Sequence, residues 1–294
     1  MSDRHAIEHY YERNTRRFLL FGGGRTAHAI HRQLWGPGVE NREAAAGHIN
    51  QLLEAALAEI GAADAPVLID LGCGVGGTLL HLAGAFPRAS LHGVTISRRQ
   101  VEIGKAALKR AGVVGQVQLH CADFETLELG LEADAIIAVE SFTHSRTADD
   151  FFQTASGHLK PGGTLILVDD LVRSGDGEPN AAEQRLIDDF RIGWRVPSLC
   201  RTSDCVDYAE RRNFELVEQR DLTDLIRLGR PRDRLIALIA PVASALGLER
   251  MPFFGNLIGG NALHAGLGKG LFEYRWLSFR HSPPAHPDRA RKSR

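Results

Sequence analysis

The residues with the plainest chemical meaning are Asp70-Leu-Gly72-Cys-Gly74-Val-Gly76-Gly77. An apolar run, Val67-Leu-Ile69, ends in an acid and a turn made almost wholly of glycine, and residues 78–85 continue with helical apolar spacing. Glycine has no Cβ to hold a ligand away, so a turn of this kind at a helix start brings backbone N–H groups against what is bound. The pattern marks a nucleotide-type site at the first strand–helix crossover of an α/β sheet. A second chemically loaded segment is Glu140-Ser-Phe-Thr-His144, which follows the buried strand pattern Ala133-Asp-Ala-Ile-Ile-Ala-Val139. A carboxylate or an imidazole there can act as a base if it reaches a reacting group.

Gly72, Gly74 and Gly77 also satisfy G-x-G-x-x-G, the dinucleotide fingerprint. That reading requires an acid roughly 20 positions on, to hold the ribose hydroxyls. The second strand, Ser90-Leu-His-Gly93-Val-Thr95-Ile96-Ser97, ends without one. A dinucleotide-dependent oxidoreductase is therefore the alternative of another class. With Asp70 ahead of the glycines, the pattern D-x-G-x-G-x-G resembles motif I of class I S-adenosylmethionine (SAM) methyltransferases. The resemblance implies that the turn runs under the methionine part of the cofactor, with Asp70, Gly72, Gly74 and Gly76 in its site.

Further motifs resemble the same family in the same order. Gly93-Val-Thr95-Ile96-Ser97-Arg-Arg-Gln100 is similar to the G-V-T-x-S-x-x-Q form found in the sterol, tocopherol, cyclopropane-fatty-acid and prenyl-diphosphate C-methyltransferase branch. It implies that Thr95, Ile96 and Gln100 meet the ribose, where most class I enzymes place an acid; a neutral amide can both donate and accept there. Val117-Gln-Leu-His-Cys121-Ala-Asp123-Phe124 resembles the adenine segment, with Asp123 toward the exocyclic amine and Phe124 against the ring. Leu159-Lys-Pro-Gly-Gly163 and the strand up to Asp170 resemble the fifth-strand motif. The likeness covers about residues 9–225. It implies a Rossmann-like α/β fold: a seven-stranded, mostly parallel sheet with an antiparallel last strand, plus helical lid segments.

On the acceptor side, Tyr10-Tyr11 and Phe18 resemble the leading segment of small-molecule C-methyltransferases, which implies that a Tyr10 or Tyr11 hydroxyl meets the SAM carboxylate. His28, His31 and Trp35 resemble the following H-x-G-Y-W segment, although Arg32 and Gln33 depart from it. Methyl transfer is an in-line displacement from a sulfonium, so alignment does most of the work. A hydroxyl or amine acceptor also needs a base; an alkene carbon instead becomes a cation that wants aromatic faces and then a carboxylate to take a proton. The resemblance gives Glu140 that last role and a place beside the cofactor, with His144 as the alternative base and a purely structural acid as the bland reading of Glu140. Trp194 is the leading aromatic candidate, and His31, Trp35, Arg195 and Arg201 complete the expected acceptor pocket. A cluster of Arg191, Arg195, Arg201 and the N-terminal arginines Arg16, Arg17, Arg25 and Arg32 would suit a diphosphate, because guanidinium forks match phosphate oxygens.

The 294 residues suit one large α/β domain with additions. Residues 1–60 are expected to form an N-terminal helical lid, residues 61–281 the SAM-binding core with lid insertions near 171–203 and 224–262, and residues 282–294 a disordered tail. A net charge of −1 gives no basic field for nucleic acid. Four cysteines without paired spacing fit free thiols in a reducing cytosol. No leader-type apolar segment begins the chain, and the longest apolar stretch, residues 235–248, contains Pro241 and is too short to cross a bilayer. The expectation is a cytoplasmic SAM-dependent methyltransferase acting on a small apolar metabolite, favoured as C-methylation of an isoprenoid or prenyl diphosphate, with O- or N-methylation of a natural product as the alternative. No metal-ligand motif is present, so Mg²⁺ is expected only with a diphosphate acceptor; a homo-oligomer stays open.

Overall fold

Residues 67–71 are apolar on both faces, which suits a strand covered by helices above and below. The computed structural model describes residues 31–59, 65–175, 177–248 and 251–282. In it Val67–Leu71 forms β1 at the middle of a seven-stranded sheet. β2 (Ser90–Thr95) and β3 (Val117–Cys121) extend the sheet to one side in parallel, and β4 (Ala133–Val139) and β5 (Leu159–Val172) extend it to the other. β7 (Phe272–His281) runs antiparallel between β5 and β6 (Phe214–Asp221). The order β3-β2-β1-β4-β5-β7-β6 is the expected mostly parallel sheet with its last strand reversed. Strand order switches direction at β1 and β4, and ligands in open α/β sheets bind at the carboxyl edge above such a switch.

Successive strand residues point to opposite faces, and the two apolar clusters divide accordingly. Leu68, Ile137 and Val168 pack with α1 (Arg42–Glu59), α2 (Gly77–Ala85) and α3 (Arg98–Ala111). Ile69, Ile136 and Leu167 pack with α4 (Ala148–His158) and α6 (Thr202–Arg211) on the other face. α1 is thus a layer of the core, burying Ile49, Leu53 and Leu57 beside Leu79 and Leu82, and not part of a lid as expected for residues 1–60. The reason is that its apolar side is wide enough to cover the sheet directly. Residues 1–30 and 283–294 lie outside the described residues. α6 starts at Thr202 with Arg201 as N-cap, and the Ser203 N–H donates to Ser174 Oγ at 2.8 Å.

α5 (Ala181–Trp194), α7 (Pro231–Ala245) and α8 (Pro252–Gly268) cover the carboxyl edge, and α8 runs beyond the expected limit of 262. An Asn180–Glu183 capping box starts α5. α5 and α8 cross at backbone contact: a Cβ on Gly193 would stand 2.7 Å from the Gly259 backbone and closer still to the Gly255 carbonyl. Gly193→Ala is therefore expected to destabilise the protein by about 1–3 kcal/mol, the usual range for overpacking. Hydrogen exchange should rise in residues 181–194 and 252–268 and stay unchanged in β1 and β4. Uniform exchange with an unaltered melting temperature would show that the helices do not depend on this contact.

Candidate active site

The carboxyl ends of β1, β2, β4 and β5 and the lid helices enclose a cavity of about 1190 Å³. Its floor is the glycine turn. Gly72 has φ +92°, and a Cβ there would run into the Ser141 side chain, whose hydroxyl donates to the Leu71 carbonyl at 2.5 Å. Only glycine suits both the left-handed backbone and the close approach. Gly74, also at positive φ, lines the cavity; Gly76 is the N-cap of α2 and does not, and Asp70 is buried beneath the turn. Burial pushes the Asp70 carboxyl up to about 7.

Thr95, Ile96, Gln100, Asp123 and Phe124 line the same side. The Thr95 hydroxyl donates to Gln100 Oε1 at 2.5 Å, which turns the Gln100 amide N–H₂ toward a ligand. Ser97 caps α3 by accepting from the Gln100 N–H, and this fixes the backbone that carries the amide. Phe124 opens a short 3₁₀ turn and lies edge-on to Phe151, with ring centroids 5.9 Å apart. The set offers an amide and a carboxylate for a ribose and an adenine and a wall for the base. It fits S-adenosylmethionine, and Gly74, at positive φ, borders the cavity beside this set. Tyr10 and Tyr11 lie outside the described residues.

Across the cavity stands Glu140, one of three described non-glycine residues at positive φ (52°). Its Oε1 accepts from the Arg32 backbone N–H and from the Tyr274 hydroxyl, both at 2.9 Å. The Arg32 guanidinium grips Asp170 with both terminal nitrogens, Nη1 to Oδ1 at 2.6 Å, and lies 5.1 Å from the Tyr274 ring centroid and 5.9 Å from that of Trp194. Asp170 is held near 6, raised by burial and opposed by Arg32. Next to it, Asp169 accepts from the Thr143 N–H and hydroxyl at 3.0 and 3.1 Å; burial, then Asp170, push it up to about 7. The His144 Nδ1–H donates to the Arg195 carbonyl at 3.1 Å, and burial lowers the ring pKa. Burial thus favours the neutral ring. His31 donates to Thr78 Oγ1 at 2.9 Å, and Thr78 in turn donates to Asn50. Burial lowers the His31 pKa too, against the pull of Glu140.

His31 and Trp194 line the cavity, whereas three other expected acceptor residues do not. Trp35 lies beneath the Arg227 guanidinium, 3.5 Å from the ring centroid, because the 31–35 strap bridges to the 222–226 turn through Leu34 and Ile226. Arg195 is the left-handed C-cap of α5 and contributes its carbonyl. Arg201 caps α6 and bonds the Gly177 carbonyl at 2.9 Å and Glu178. The expected cluster of Arg191, Arg195 and Arg201 does not converge; Arg191 bonds the Leu199 carbonyl. Arg227, Arg230 and Arg232, in the approach to α7 and its first turn, line the cavity instead. Sequence reasoning missed Arg230, His264, Asp169 and Asp170 as pocket residues. Two adjacent acids ending the fifth strand were the available signal; the arginines carried none, since three cations before a helix usually mark a solvated surface.

Comparison with known proteins follows this geometry. Residues 68–163 match the family described as "Methyltransferase domain". Cycloartenol-C-24-methyltransferase 1 of Oryza sativa subsp. japonica is 27% identical over 219 residues, 74% of this chain and 61% of that protein. A geranyl diphosphate methyltransferase solved with GPP and sinefungin superposes with a TM-score of 0.71 at 16% identity, over 95% of this chain and 99% of that one. Geranyl diphosphate C-methyltransferase from Streptomyces coelicolor A3(2), solved with Mg²⁺, geranyl-S-thiolodiphosphate and S-adenosyl-L-homocysteine, gives 0.69 at 15% identity, over 96% and 98%. The fold and the motif order are those of a class I SAM-dependent methyltransferase. Within that class the chain is similar to sterol C-methyltransferases in sequence and to geranyl diphosphate methyltransferases in fold. It spans about three fifths of the length of the curated relatives it matches, 61% and 62% for the first two.

The buried acids set a pH dependence. Asp70 and Asp169, near 7, hold protons that an unfolded aspartate releases near 3.9. Between about pH 4 and 7 the native state binds more protons than the unfolded chain, so stability falls as pH rises through that window. Urea midpoints should be higher at pH 5 than at pH 7.5, and Asp70→Asn should shrink the difference by on the order of 1 kcal/mol, since one pKa unit is worth about 1.4 kcal/mol. An identical difference in the variant would mean that Asp70 is ionised in the fold throughout.

Proposed function

We propose that this protein transfers the methyl group of SAM to a carbon of an isoprenoid-type acceptor and that Glu140 removes the proton that completes the reaction. The observation that carries the reading is the arrangement of Glu140. Both of its recorded hydrogen bonds fall on Oε1, and among the described residues Oε2 takes none. Oε1 anchors the group, Glu140 lines the cavity, and Oε2 is the oxygen proposed as the base.

SAM, when bound, supplies an electrophilic methyl on a sulfonium. Gly72 and Gly74 give it floor space; Gln100, Asp123 and Phe124 hold its nucleoside; Tyr10 or Tyr11 is proposed for its carboxylate. The lids exclude water and hold the acceptor alkene in line with the methyl, which supplies much of the rate enhancement. With SAM bound, the alkene π electrons would form the new carbon–carbon bond to its methyl as the carbon–sulfur bond breaks, which would leave a cation on the neighbouring acceptor carbon. Phe190, Trp194 and Phe253 offer ring faces to that cation. Glu140 Oε2 then takes a proton from the adjacent carbon, and the carbon–hydrogen electrons restore the alkene. The neutralised Arg32–Asp170 pair keeps Glu140 in place without adding net charge near the cation. Arg230, half-buried, and Arg227 and Arg232 suit an anionic head on the acceptor, and Mg²⁺ would enter with a diphosphate.

A second reading has one observation behind it. His144 lines the cavity with its Nδ1–H on the Arg195 carbonyl, and burial favours its neutral ring, the form that a base for transfer to a hydroxyl or amine would need. NMR of the product separates the two, because a new C–CH₃ differs from O–CH₃ or N–CH₃ in shift and coupling. Glu140→Gln should lower kcat by about 10²–10⁴-fold, the usual worth of a general base. S-adenosylhomocysteine should still raise its melting temperature, since a ligand that binds only the native state stabilises it. Undiminished turnover in that variant would remove Glu140 from proton transfer.

A further inference from the structure

Helix α7 is apolar on two sides. Its inner side, Ile236, Ala240 and Ala243, packs with Ile258 and Leu257 of α8. Its outer side carries Leu235, Leu238, Ile239, Val242 and Leu246, which are between 40% and 74% exposed. At 100° per residue these five fall within about 100° of arc, a continuous stripe along one face. A helix apolar all round is normally buried, and single exposed leucines are ordinary but a contiguous stripe of five is not. Phe253 and Met251, at the start of α8, are likewise 57% and 52% exposed.

Two features say what covers it. First, Arg227, Arg232 and Arg234 are exposed at the N-terminal end of the stripe, whereas residues 227–248 contain a single acid, Asp233, whose side chain is 9% exposed. A second copy of this chain meeting the same face would bring no carboxylate for Arg234, which lies outside the cavity; a lipid phosphate would answer it, with Arg227 and Arg232 beside it at the cavity mouth. Second, the cavity opens beside the patch: Phe253 and Arg232 both line it and reach the surface. An interfacial helix combines an apolar face sunk at the headgroup boundary with cations at headgroup level. No described helix is long and apolar enough to cross a membrane, so the contact is peripheral.

We propose that the outer face of α7 docks on an anionic lipid surface and sets the cavity mouth against it. Docking needs neither cofactor nor acceptor. The consequence that a lipid-dissolved acceptor is loaded from the bilayer rests on the reading above of an isoprenoid-type acceptor.

The test is flotation of the full chain with vesicles of phosphatidylcholine alone and of phosphatidylcholine with phosphatidylglycerol, without cofactor. Binding is expected to the anionic vesicles, to fall as salt rises, and to drop at least tenfold in Leu238→Glu/Val242→Glu. Arg234→Gln, outside the cavity, should weaken it a few-fold. Both variants should keep the wild-type melting temperature and the thermal shift with S-adenosylhomocysteine, which establishes folding. No binding to anionic vesicles, or equal binding by the double variant, overturns the proposal. So does sedimentation showing a dimer that the double variant converts to monomer without loss of vesicle binding, since a second copy would then cover the stripe. Failure of Glu140→Gln to affect turnover would leave vesicle binding untouched, so the two readings fail separately.

Discussion

The site turns on one contact, the two hydrogen bonds that fix Glu140 Oε1. One donor is the Arg32 backbone, on a strap that precedes the first core helix; the other is Tyr274, on the reversed strand β7. Glu140 itself ends β4 in a left-handed backbone conformation, and such positions persist only where surroundings over-determine them. Here Asp170 at the end of β5 holds the Arg32 side chain, so strap, β4, β5 and β7 meet at one carboxylate. The Arg32–Asp170 pair is nearly dry, with side chains 15% and 4% exposed. A buried pair of this kind adds little net stability because desolvation offsets the attraction. Its value lies in position: breaking either half leaves an uncompensated charge, so the strap has one strongly preferred seat.

That seat explains the division of the cavity. The cofactor side is built from strand ends and the helix caps that follow them, elements whose backbone is fixed by the sheet. The acceptor side is built from α5, α7 and α8; α5 meets α8 at Gly193 and Gly259, α7 packs on α8 through Ala240, Ala243 and Ile258, and Val172, Phe190 and Phe272 join the cover to the sheet. A rigid donor platform beneath a separately packed cover is a common arrangement for α/β enzymes, in which loops and insertions carry the specificity. The arginines before α7 belong to that cover, and so does the apolar outer face that continues from it.

Much of the fold was legible because the strands are buried on both faces and the linking helices have one apolar side. Those patterns depend on local spacing alone. The strand segments read from Val67, Ser90, Val117, Ala133 and Leu159 and the helix read from residue 78 begin within a residue of the observed β1 to β5 and α2. The glycine turn was legible for the same reason: φ near +92° with a neighbour's side chain against it leaves glycine as the residue that fits. The substrate side was read less well. Trp35, Arg195 and Arg201 have the residue types of a pocket, but each is drawn to a backbone carbonyl, a ring stack or a helix cap nearby. α1 has the amphipathic pattern of a lid and lies on the sheet, since an apolar stripe does not say which apolar surface it will meet.

The sequence by itself determined the sheet, the cofactor-type turn and the identity of the acid after the fourth strand, because short-range periodicity and glycine's freedom of φ are encoded residue by residue. Tertiary structure alone decided that Arg32, 108 positions from Glu140 along the chain, would hold it. It also decided which arginines reach the cavity, and that one side of α7 would stay uncovered. Those outcomes depend on how separate elements meet, and the free energy of such meetings is a property of pairs of surfaces that no single segment carries.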